Sequence, residues 1–431
     1  MGISNYRPGT YIRVDDTDRF RIEGSVCLDR FYTMKAYDEQ KKEYCFLKFK
    51  ETGRTAIDPD VNNLHRESRF IFHYTYIAQV YGSFWGTNPQ GDPVYGVSME
   101  YISGDTLADY RKKLELCDEE TERKLLKQIL QFIYAINYYL GYAEPQYYHR
   151  DLKPENIMIT ESEDVKLVDF DYSHISGSTD TVNVPGYGLG FSRGYSDPYV
   201  LKYDQKIRGG KASEDPGERL DIYAAGMVIF YWMHGRCYFE DDERDGDLEN
   251  TSTKLYWNND KLAYQLELSR FDRKYREKRY KGLINILKRM CCAPGAPGAY
   301  RTIAEVKADM ERFLLGYCGN SYENYEKYFD LTRLLRKSQN LREEKGVQVA
   351  YRYLNPVTAY QGGLLPENGM KTVIVDNRPA VILCNRNNKI ILIPALGVKV
   401  ERMNRQKSCT MEIESGDKIE VNQIQIEFLI N

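Results

Sequence analysis

The stretch YHRDLKPENIMI, residues 148–159, is followed shortly by VKLVDFDYS, residues 165–173. The first stretch holds Asp151, Lys153 and Asn156, and the second delivers Asp169 at the end of an apolar strand. Transfer of a phosphoryl group from a nucleotide to a hydroxyl needs a carboxylate at the hydroxyl proton, metal ions on the phosphates and cations against the developing charge. Residues of these types in this order predict phosphoryl transfer.

The polar residues of the two stretches divide naturally among those tasks. Asp151 is the candidate base, and Lys153 lies near enough to it to contact the transferred phosphate. Asn156 and Asp169 are candidate metal ligands, because Mg²⁺ prefers a few hard oxygen ligands and keeps several waters. The alternative is an ordinary Asp-rich turn between two elements of secondary structure.

HRDLKPEN together with DF resembles the eukaryotic-type protein kinases, whose signatures include H-R-D…N and D-F-G. The order Asp-Leu-Lys resembles the Ser/Thr branch of that family. The resemblance covers roughly residues 10–316. It implies an α+β, bilobal kinase-like fold, with ATP and Mg²⁺ or Mn²⁺ as cofactors and a protein as substrate. Residues 23–36, which hold only one glycine where the family has a glycine-rich loop, and the unusual carboxyl-terminal part suggest a divergent member of bacterial origin.

Two charged landmarks follow from the resemblance. Lys48 in CFLKF matches the strand lysine that holds the phosphates, and Glu67 in HRESRF matches the helix glutamate that pairs with it. Lys50 stands two positions further on the same alternating strand and remains an alternative to Lys48.

The segment YGVSMEYISGDTL, residues 95–107, resembles the hinge that receives the adenine. The resemblance makes Met99 the gatekeeper, sets the backbone of Glu100 and Tyr101 against the base, and places Met158 below it. In ERLDIYAAG, Asp221 matches the buried residue that holds the catalytic loop, and Ser192 matches a hydroxyl beside the catalytic Asp and Lys. Four apolar or aromatic residues match the spine that links the lobes: Ile71, Val80, His149 and Phe170.

The segment EGSVCLDRFYTMKA, residues 23–36, departs from the family because Gly24 is its only glycine. Glycines let backbone N–H groups approach phosphates closely. Arg30 would have to supply charge instead. A hairpin with no ligand role is the alternative reading. Phe46 shares a strand face with Lys48 where the family has Ala, and a ring there narrows the base site.

Two further departures lie in the second half of the resemblance. Asp171 stands where the family has the glycine of D-F-G, and it stiffens or recharges that loop without removing the metal-binding Asp169. Tyr199 stands where the family has the glutamate of A-P-E. The salt bridge that this glutamate makes to an arginine, here Arg301, is then lost.

The chain is predicted to contain four parts: a kinase amino-terminal lobe at 1–101, a carboxyl-terminal lobe at 102–316, a helical linker at 317–346 and a β-sandwich at 347–431. TMEIESGDKIEVNQIQIEFLI in the last part resembles the closing strands of a forkhead-associated domain. Asp376 and Pro379 stand where that family has its phosphate-binding S-x-x-H. We therefore expect docking or self-association from this part, with no phosphopeptide site.

Composition limits the compartment and the partners. The 431 residues carry a net charge of -3 without a block of like charges, which argues against nucleic acid as a partner. Nine cysteines without a C-x-x-C pair indicate reduced thiols in a cytoplasm. The longest apolar run, residues 222–233, is too short to span a bilayer.

Three functions remain open at the level of sequence. The favoured one is an active ATP- and Mg²⁺-dependent Ser/Thr protein kinase that also phosphorylates itself, because every catalytic side chain is present. The second is a pseudokinase that binds partners through its carboxyl-terminal β-module, as the missing loop glycines and Phe46 would suggest. The third is a kinase-fold enzyme with another transfer reaction, such as nucleotidylation.

Overall fold

The computed structural model describes residues 6–52, 59–70, 74–115, 118–141, 147–175, 192, 194–198, 217–239, 264–293, 295–329, 331, 346–354, 361–366, 370–375, 378–386, 389–394, 400–402, 411–415, 417–421 and 424–430. The chain divides into two compact units. The first comprises 1–74, 78–102 and 334–431, and the second comprises 75–77 and 103–333. The predicted boundaries of the four parts stay predictions.

An antiparallel sheet forms the amino-terminal part of the first unit. Its strand order is β2-β1-β6-β7-β5-β4-β3, and β2 also pairs with β4, so the sheet closes into a barrel. The strands are β1 (Tyr11–Val14), β2 (Thr17–Ile22), β3 (Cys27–Leu28), β4 (Tyr32–Asp38), β5 (Glu43–Glu51), β6 (Val80–Thr87) and β7 (Pro93–Glu100).

Strand alternation explains the two faces of this sheet. Cys45, Leu47 and Phe49 of β5 are buried in an apolar cluster with residues of the other barrel strands. The intervening Phe46 packs in a second cluster, to which helix α1 (Pro59–Glu67) contributes Leu64. The face of β5 that carries Lys48 is therefore the face covered by α1.

Helix α1 ends earlier than the sequence indicates. The sequence VNNLHRESRFIFHY predicts a helix over 61–74, but α1 ends at Glu67 and a turn follows. The Ser68 hydroxyl donates to the His65 carbonyl at 2.7 Å, and a side chain that bonds its own backbone in this way competes with the helix.

The second unit is mainly helical. Its helices are α2 (Leu107–Lys113), α3 (Glu119–Gly141), α4 (Arg219–His234), α5 (Lys281–Met290), α6 (Ile303–Tyr317) and α7 (Tyr322–Phe329). Its short strands are β8 (Gly104–Thr106), β9 (Tyr147–Tyr148), β10 (Ile157–Thr160), β11 (Val165–Leu167) and β12 (His174–Ile175). They pair as β11-β10-β8 and β12-β9. Strands β10 and β11 form the hairpin that carries the two decisive sequence stretches.

The helices of the second unit begin and end for recognisable reasons. Three glutamates occupy the first turn of α3, where the helix dipole favours negative charge. Helix α4 is buried almost along its whole length, as its apolar run predicts, and it ends at Gly235 with a φ of 69°. The Gly235 amide donates to the Tyr231 carbonyl at 2.7 Å, which caps the helix.

The sequence predicts a helix over 260–270, and this prediction is wrong for the described residues after Tyr264. Residues 260–263 lie outside the described residues, and from Gln265 the chain is extended until a 3-10 turn at Leu268–Arg270. The Glu267 amide donates to the Tyr238 hydroxyl at 2.7 Å, so it does not enter a helical ladder.

The carboxyl-terminal strands form two antiparallel sheets, with orders β14-β13-β21-β20-β18 and β15-β16-β17-β19. Residues of both sheets, such as Val349, Ile426, Val381 and Leu392, share one apolar cluster. The strands are β13 (Gly346–Tyr353), β14 (Gln361–Pro366), β15 (Met370–Val375), β16 (Arg378–Arg386), β17 (Lys389–Pro394), β18 (Val400–Arg402), β19 (Met411–Ile413), β20 (Lys418–Val421) and β21 (Ile424–Ile430). Among all described residues, no helix combines the length and the apolar character needed to cross a membrane.

Candidate active site

Asp151 is the centre of the site in the second unit. Its Oδ2 lies 2.8 Å from the Lys153 ammonium and accepts a hydrogen bond from the Asn156 amide at 3.1 Å. Its Oδ1 accepts a hydrogen bond from the Ser192 hydroxyl at 2.5 Å. The carboxylate is only 3% exposed, so these donors replace water and fix its orientation.

Helix α4 fixes the loop before Asp151 through the side chain of Asp221. Asp221, in the first turn of α4, accepts hydrogen bonds from the backbone amides of His149 at 2.6 Å and Arg150 at 2.8 Å. The Tyr139 hydroxyl of α3 donates to the same carboxylate at 3.0 Å. Arg150 has a φ of 66°, a left-handed conformation that costs free energy for a residue with a side chain and that this network stabilises. The role predicted for Asp221 matches these contacts.

Asp169 follows strand β11 and lies beside the Asp151 loop. The Val168 amide donates to the Asn156 carbonyl at 3.0 Å, and the His149 Nε2 lies 3.1 Å from the Val168 carbonyl oxygen. Asp169 itself has a φ of 65°. Burial alone would lower the pKa of Lys153, but the negative charges of Asp151 and Asp169 outweigh it and raise that pKa. The ammonium therefore stays charged beside both carboxylates.

The residues present fit a hydrated divalent cation. The Asn156 Nδ2 donates to the Asp151 carbonyl at 2.8 Å, which leaves the amide oxygen as the metal-binding atom of that side chain. With the Asp169 carboxylate this gives two hard oxygen ligands, and Mg²⁺ commonly takes its other ligands from water and phosphate. No group of three or more His, Cys, Asp or Glu side chains arranged for a metal occurs among the described residues.

The aromatic residues of the predicted spine pack together where they are described. The rings of His149 and Phe170 lie 4.5 Å apart between centroids, and Phe170 is 2% exposed. Val80 is buried in the first unit, and Ile71 lies outside the described residues. Asp171, at the family's glycine position, is 3% exposed and so lies inside the second unit.

The first unit holds the predicted phosphate clamp. The Lys48 ammonium lies 3.2 Å from the Glu67 Oε2, and both side chains are buried. Lys50, the alternative lysine, pairs with Asp60 of α1. Of the two lysines, Lys48 is therefore the one paired with Glu67.

The predicted hinge residues lie at the end of strand β7 and just after it. Met99 is buried in the cluster that includes Phe46, its partner in the strand register. The Glu100 amide donates to the Gln79 carbonyl at 2.7 Å. The Lys35 ammonium lies 4.3 Å from the centroid of the Tyr101 ring.

Met158, predicted below the base, belongs to the second unit. It lies partly buried in β10, opposite Lys166 of β11 and Thr106 of β8 in the strand register.

Sequence reasoning missed an ion pair at the position of the A-P-E motif. The Asp197 carboxylate is fully buried, lies 3.2 Å from the Arg219 Nε and accepts a hydrogen bond from the Tyr264 hydroxyl at 2.6 Å. Tyr199 and residues 176–191 lie outside the described residues, and Arg301 is exposed. The signal was present in the sequence: an acid occupies the alanine position of A-P-E, and Arg219 stands two residues before Asp221.

The comparison with known proteins agrees with this geometry. Residues 33–295, more than half of the chain, match the family model for the protein kinase domain. The chain belongs to the protein kinase family. Its α+β kinase fold follows from that membership.

Three relatives illustrate the likeness. Serine/threonine-protein kinase tousled-like 1 of Homo sapiens is 25% identical over 231 residues, which cover 51% of this chain and 29% of that protein. Mitogen-activated protein kinase kinase SIPKK of Nicotiana tabacum is 29% identical over 36% of this chain and 37% of its own length. A probable cAMP-dependent protein kinase catalytic subunit of Encephalitozoon cuniculi is 29% identical over 54% of this chain and 65% of its own length. The chain thus spans less than two thirds of each of these relatives.

Proposed function

We propose that this protein kinase transfers the γ-phosphoryl group of ATP, with Mg²⁺ or Mn²⁺, to serine or threonine hydroxyls of protein substrates and of itself. The observation that carries the proposal is the set of hydrogen bonds on Asp151. Its carboxylate accepts them from the side chains of Lys153, Asn156 and Ser192. A buried carboxylate held in this way is positioned to accept a hydroxyl proton.

Each group in the two units has a place in this reaction. Asp151 orients the substrate hydroxyl and accepts its proton, and Lys153 stabilises the charge on the transferred phosphoryl group. Lys48, kept in position by Glu67, binds the phosphates. Asn156 and Asp169 hold the metal ion, which neutralises the phosphate charge. The adenine contacts the backbone of Glu100 and Tyr101, with Met99 and Met158 as apolar neighbours.

The preference for serine and threonine rests on two features. The Lys153 ammonium lies 2.8 Å from Asp151, and Ser192 bonds the same carboxylate. Serine/threonine-protein kinases of the tousled-like type are among the similar proteins.

A pseudokinase function is the second candidate, because specific contacts favour it. The hairpin that should cover the phosphates has one glycine, and its Arg30 is paired with Asp60 at 2.7 Å. Phe46 packs among Met99 and its neighbours, on the strand face that carries Lys48. A different transfer, such as nucleotidylation, would use the same carboxylates and is tested by the same experiment.

The deciding experiment compares three purified proteins: the wild type, Asp169→Ala and Asp105→Ala. Asp105 is a matched acid of the same unit, paired only at the surface with Lys113. With Mg²⁺ or Mn²⁺ and γ-labelled ATP, we expect label on the chain and on a generic protein substrate from the wild type and Asp105→Ala. Asp169→Ala should lose most of it.

The outcomes separate the three functions. Equal labelling by the wild type and Asp169→Ala would reject phosphoryl transfer at this site. Transfer from α-labelled ATP would indicate nucleotidylation. A melting shift with nucleotide but no label would indicate a pseudokinase.

For the remaining properties we propose a cytoplasmic protein of bacterial origin that acts on proteins and uses neither nucleic acid nor a membrane. Its carboxyl-terminal strands would form a forkhead-associated-like module for docking or self-association. Two antiparallel sheets with a common apolar cluster support that module. A balanced net charge supports a function without nucleic acid, and nine cysteines without a C-x-x-C pair support a reducing compartment.

A further inference from the structure

The Lys48 ammonium is enclosed on two sides within the first unit. Glu67 Oε2 lies 3.2 Å from its nitrogen, and the centroid of the Phe31 ring lies 4.9 Å from the same nitrogen. Only 9% of the Lys48 side chain is exposed. A ring at this distance interacts favourably with a cation and at the same time occupies the space beside it.

Phe31 itself is firmly held. It is 6% exposed and packs in the apolar cluster that contains Leu64 of α1 and Val97 of β7. It belongs to the turn between β3 and β4, the tip of the glycine-poor hairpin. We call the turn residues 29–31 the Phe31 cover.

An ion pair fastens the Phe31 cover to helix α1. The Arg30 Nε lies 2.7 Å from the Asp60 Oδ1, and Lys50 of β5 pairs with the other carboxylate oxygen. Burial alone would raise the pKa of Asp60, but the hydrogen bonds from Lys50 and Arg30 lower it. The Asp60 carboxylate therefore stays charged and holds both cations at physiological pH.

This arrangement conflicts with the binding of phosphates. An ammonium–phosphate hydrogen bond requires the oxygen to come within about 2.7–2.9 Å of the nitrogen. The side of Lys48 next to Phe31 does not admit an oxygen while the ring is in place, and little of the remaining side chain is exposed. We propose that the Phe31 cover is a self-inhibitory contact, fastened by the Arg30–Asp60 ion pair, which ATP must displace before its phosphates reach Lys48. The inference rests on the proposed function of Lys48.

The contact also connects the cover to the phosphate clamp. Asp60 and Glu67 lie seven residues apart on α1, so they stand on the same face, two turns from each other. A movement of α1 would change the Arg30–Asp60 and the Lys48–Glu67 pairs together.

The cover is tested first without nucleotide. Lys48 is acetylated with N-hydroxysuccinimide acetate, and its rate of modification is followed by mass spectrometry in the wild type, Arg30→Gln and Phe31→Ala. Arg13→Gln is the matched control, because Arg13 forms an exposed Nε–Oδ1 pair with Asp18 at 2.8 Å on the same sheet.

We expect Arg30→Gln to accelerate Lys48 acetylation about two- to fivefold, the effect of losing one partly exposed ion pair. Phe31→Ala should give a larger increase, about tenfold or more, since it removes the ring itself. Arg13→Gln should match the wild type. The proposal is rejected if Lys48 is acetylated at the wild-type rate in Arg30→Gln while the circular dichroism spectrum of that variant is unchanged. In that case the Arg30–Asp60 ion pair does not hold the Phe31 cover over Lys48.

The second measurement is the Kd for ATP with Mg²⁺ in the same proteins. If only molecules with an open cover bind ATP, the apparent affinity for ATP is reduced in proportion to the open fraction. Arg30→Gln raises that fraction, so we expect this variant to bind ATP about two- to fivefold more tightly. Measurable ATP binding that Arg30→Gln and Phe31→Ala leave unchanged would overturn the inhibitory role. If acetylation of Lys48 is faster in Arg30→Gln and Phe31→Ala but no variant binds ATP, the Phe31 cover shields Lys48 as described. The proposed function of Lys48 in phosphate binding is then rejected, and so is the inhibitory role of the cover.

Discussion

Single buried polar residues form the centre of the candidate active site. Asp151 and Asp221 are almost completely buried, and each is surrounded by named donors. A buried carboxylate without partners would cost several kcal/mol, so the donors that stabilise these groups also fix their direction. Arg150 and Asp169, next to them, adopt left-handed backbone conformations. The second unit thus holds a strained backbone at the residue before Asp151 and at the candidate metal ligand Asp169.

His234 offers a residue-scale prediction about pH. Its ring is buried among Phe230, Phe271 and Tyr275, and burial lowers its pKa to about 4. In the unfolded chain the value is about 6.5. Between these values the unfolded state binds more protons, so the stability present above pH 6.5 is lost as the pH falls toward 4.

The variant His234→Phe removes that titration. We expect the wild type to lose up to about 1.4 kcal/mol of unfolding free energy per pH unit through His234 in this window, and the variant to lack this part of the slope. Urea unfolding at pH 7, 6 and 5 measures both slopes. Identical slopes in the two proteins would show that His234 is not neutral in the folded state.

At the level of elements, strand β5 contributes both to the core of the barrel and to the position of Lys48. One face of this strand fills the barrel with Cys45, Leu47 and Phe49, and the other presents Lys48 to helix α1. A shift of one residue in register would exchange the two faces completely. The position of Lys48 and the packing of the barrel core therefore both depend on the register of β5.

Gly96, in strand β7, and Gly24, in the connection between β2 and β3, differ in the space around them. A Cβ at Gly96 would lie 2.5 Å from the Phe49 Cβ and 2.6 Å from the Phe84 ring, whereas a Cβ at Gly24 would meet only the Lys35 Cβ at 3.8 Å. We expect Gly96→Ala to destabilise the protein by about 1–3 kcal/mol through overpacking, and Gly24→Ala by less than about 0.5 kcal/mol.

Thermal unfolding of both variants provides the measurement. Equal melting temperatures would contradict the tight packing at Gly96. A large loss from Gly24→Ala would show that the hairpin needs its glycine for folding, in addition to any role near the phosphates.

For the whole molecule, the carboxyl-terminal strands belong to the same compact unit as the barrel but have an apolar cluster of their own. The cluster of the two terminal sheets contains only residues between Val349 and Phe428. The barrel cluster runs from Tyr6 to Val94, and the two clusters share no residue. Independent cores of this kind usually unfold as independent transitions.

Removal of residues 347–431 tests this independence. We expect calorimetry to show one unfolding transition fewer, with the remaining transition within a few degrees of its original temperature. Sedimentation of the full and shortened chains then reports whether self-association depends on the terminal sheets. Loss of all cooperative unfolding on truncation would show that the kinase part needs these strands.

The catalytic stretch could be found from sequence because its chemistry is local. Asp151, Lys153 and Asn156 lie within one loop and one hairpin, so their spacing already brings them together. Strands and long helices also follow from local alternation and periodicity. The helix predicted over 260–270 failed because the Tyr238 hydroxyl takes the Glu267 amide, a contact between residues far apart in the chain.

The sequence by itself therefore determined the family, the catalytic loop and the strand that bears Lys48, since each depends on neighbours within a few residues. Only the tertiary structure decided that Arg30 pairs with Asp60, that Asp197 pairs with Arg219, and that Phe31 lies beside Lys48. These contacts join residues 17 to 30 positions apart. Their formation depends on how the sheet and the helices pack, which no local pattern of residues encodes.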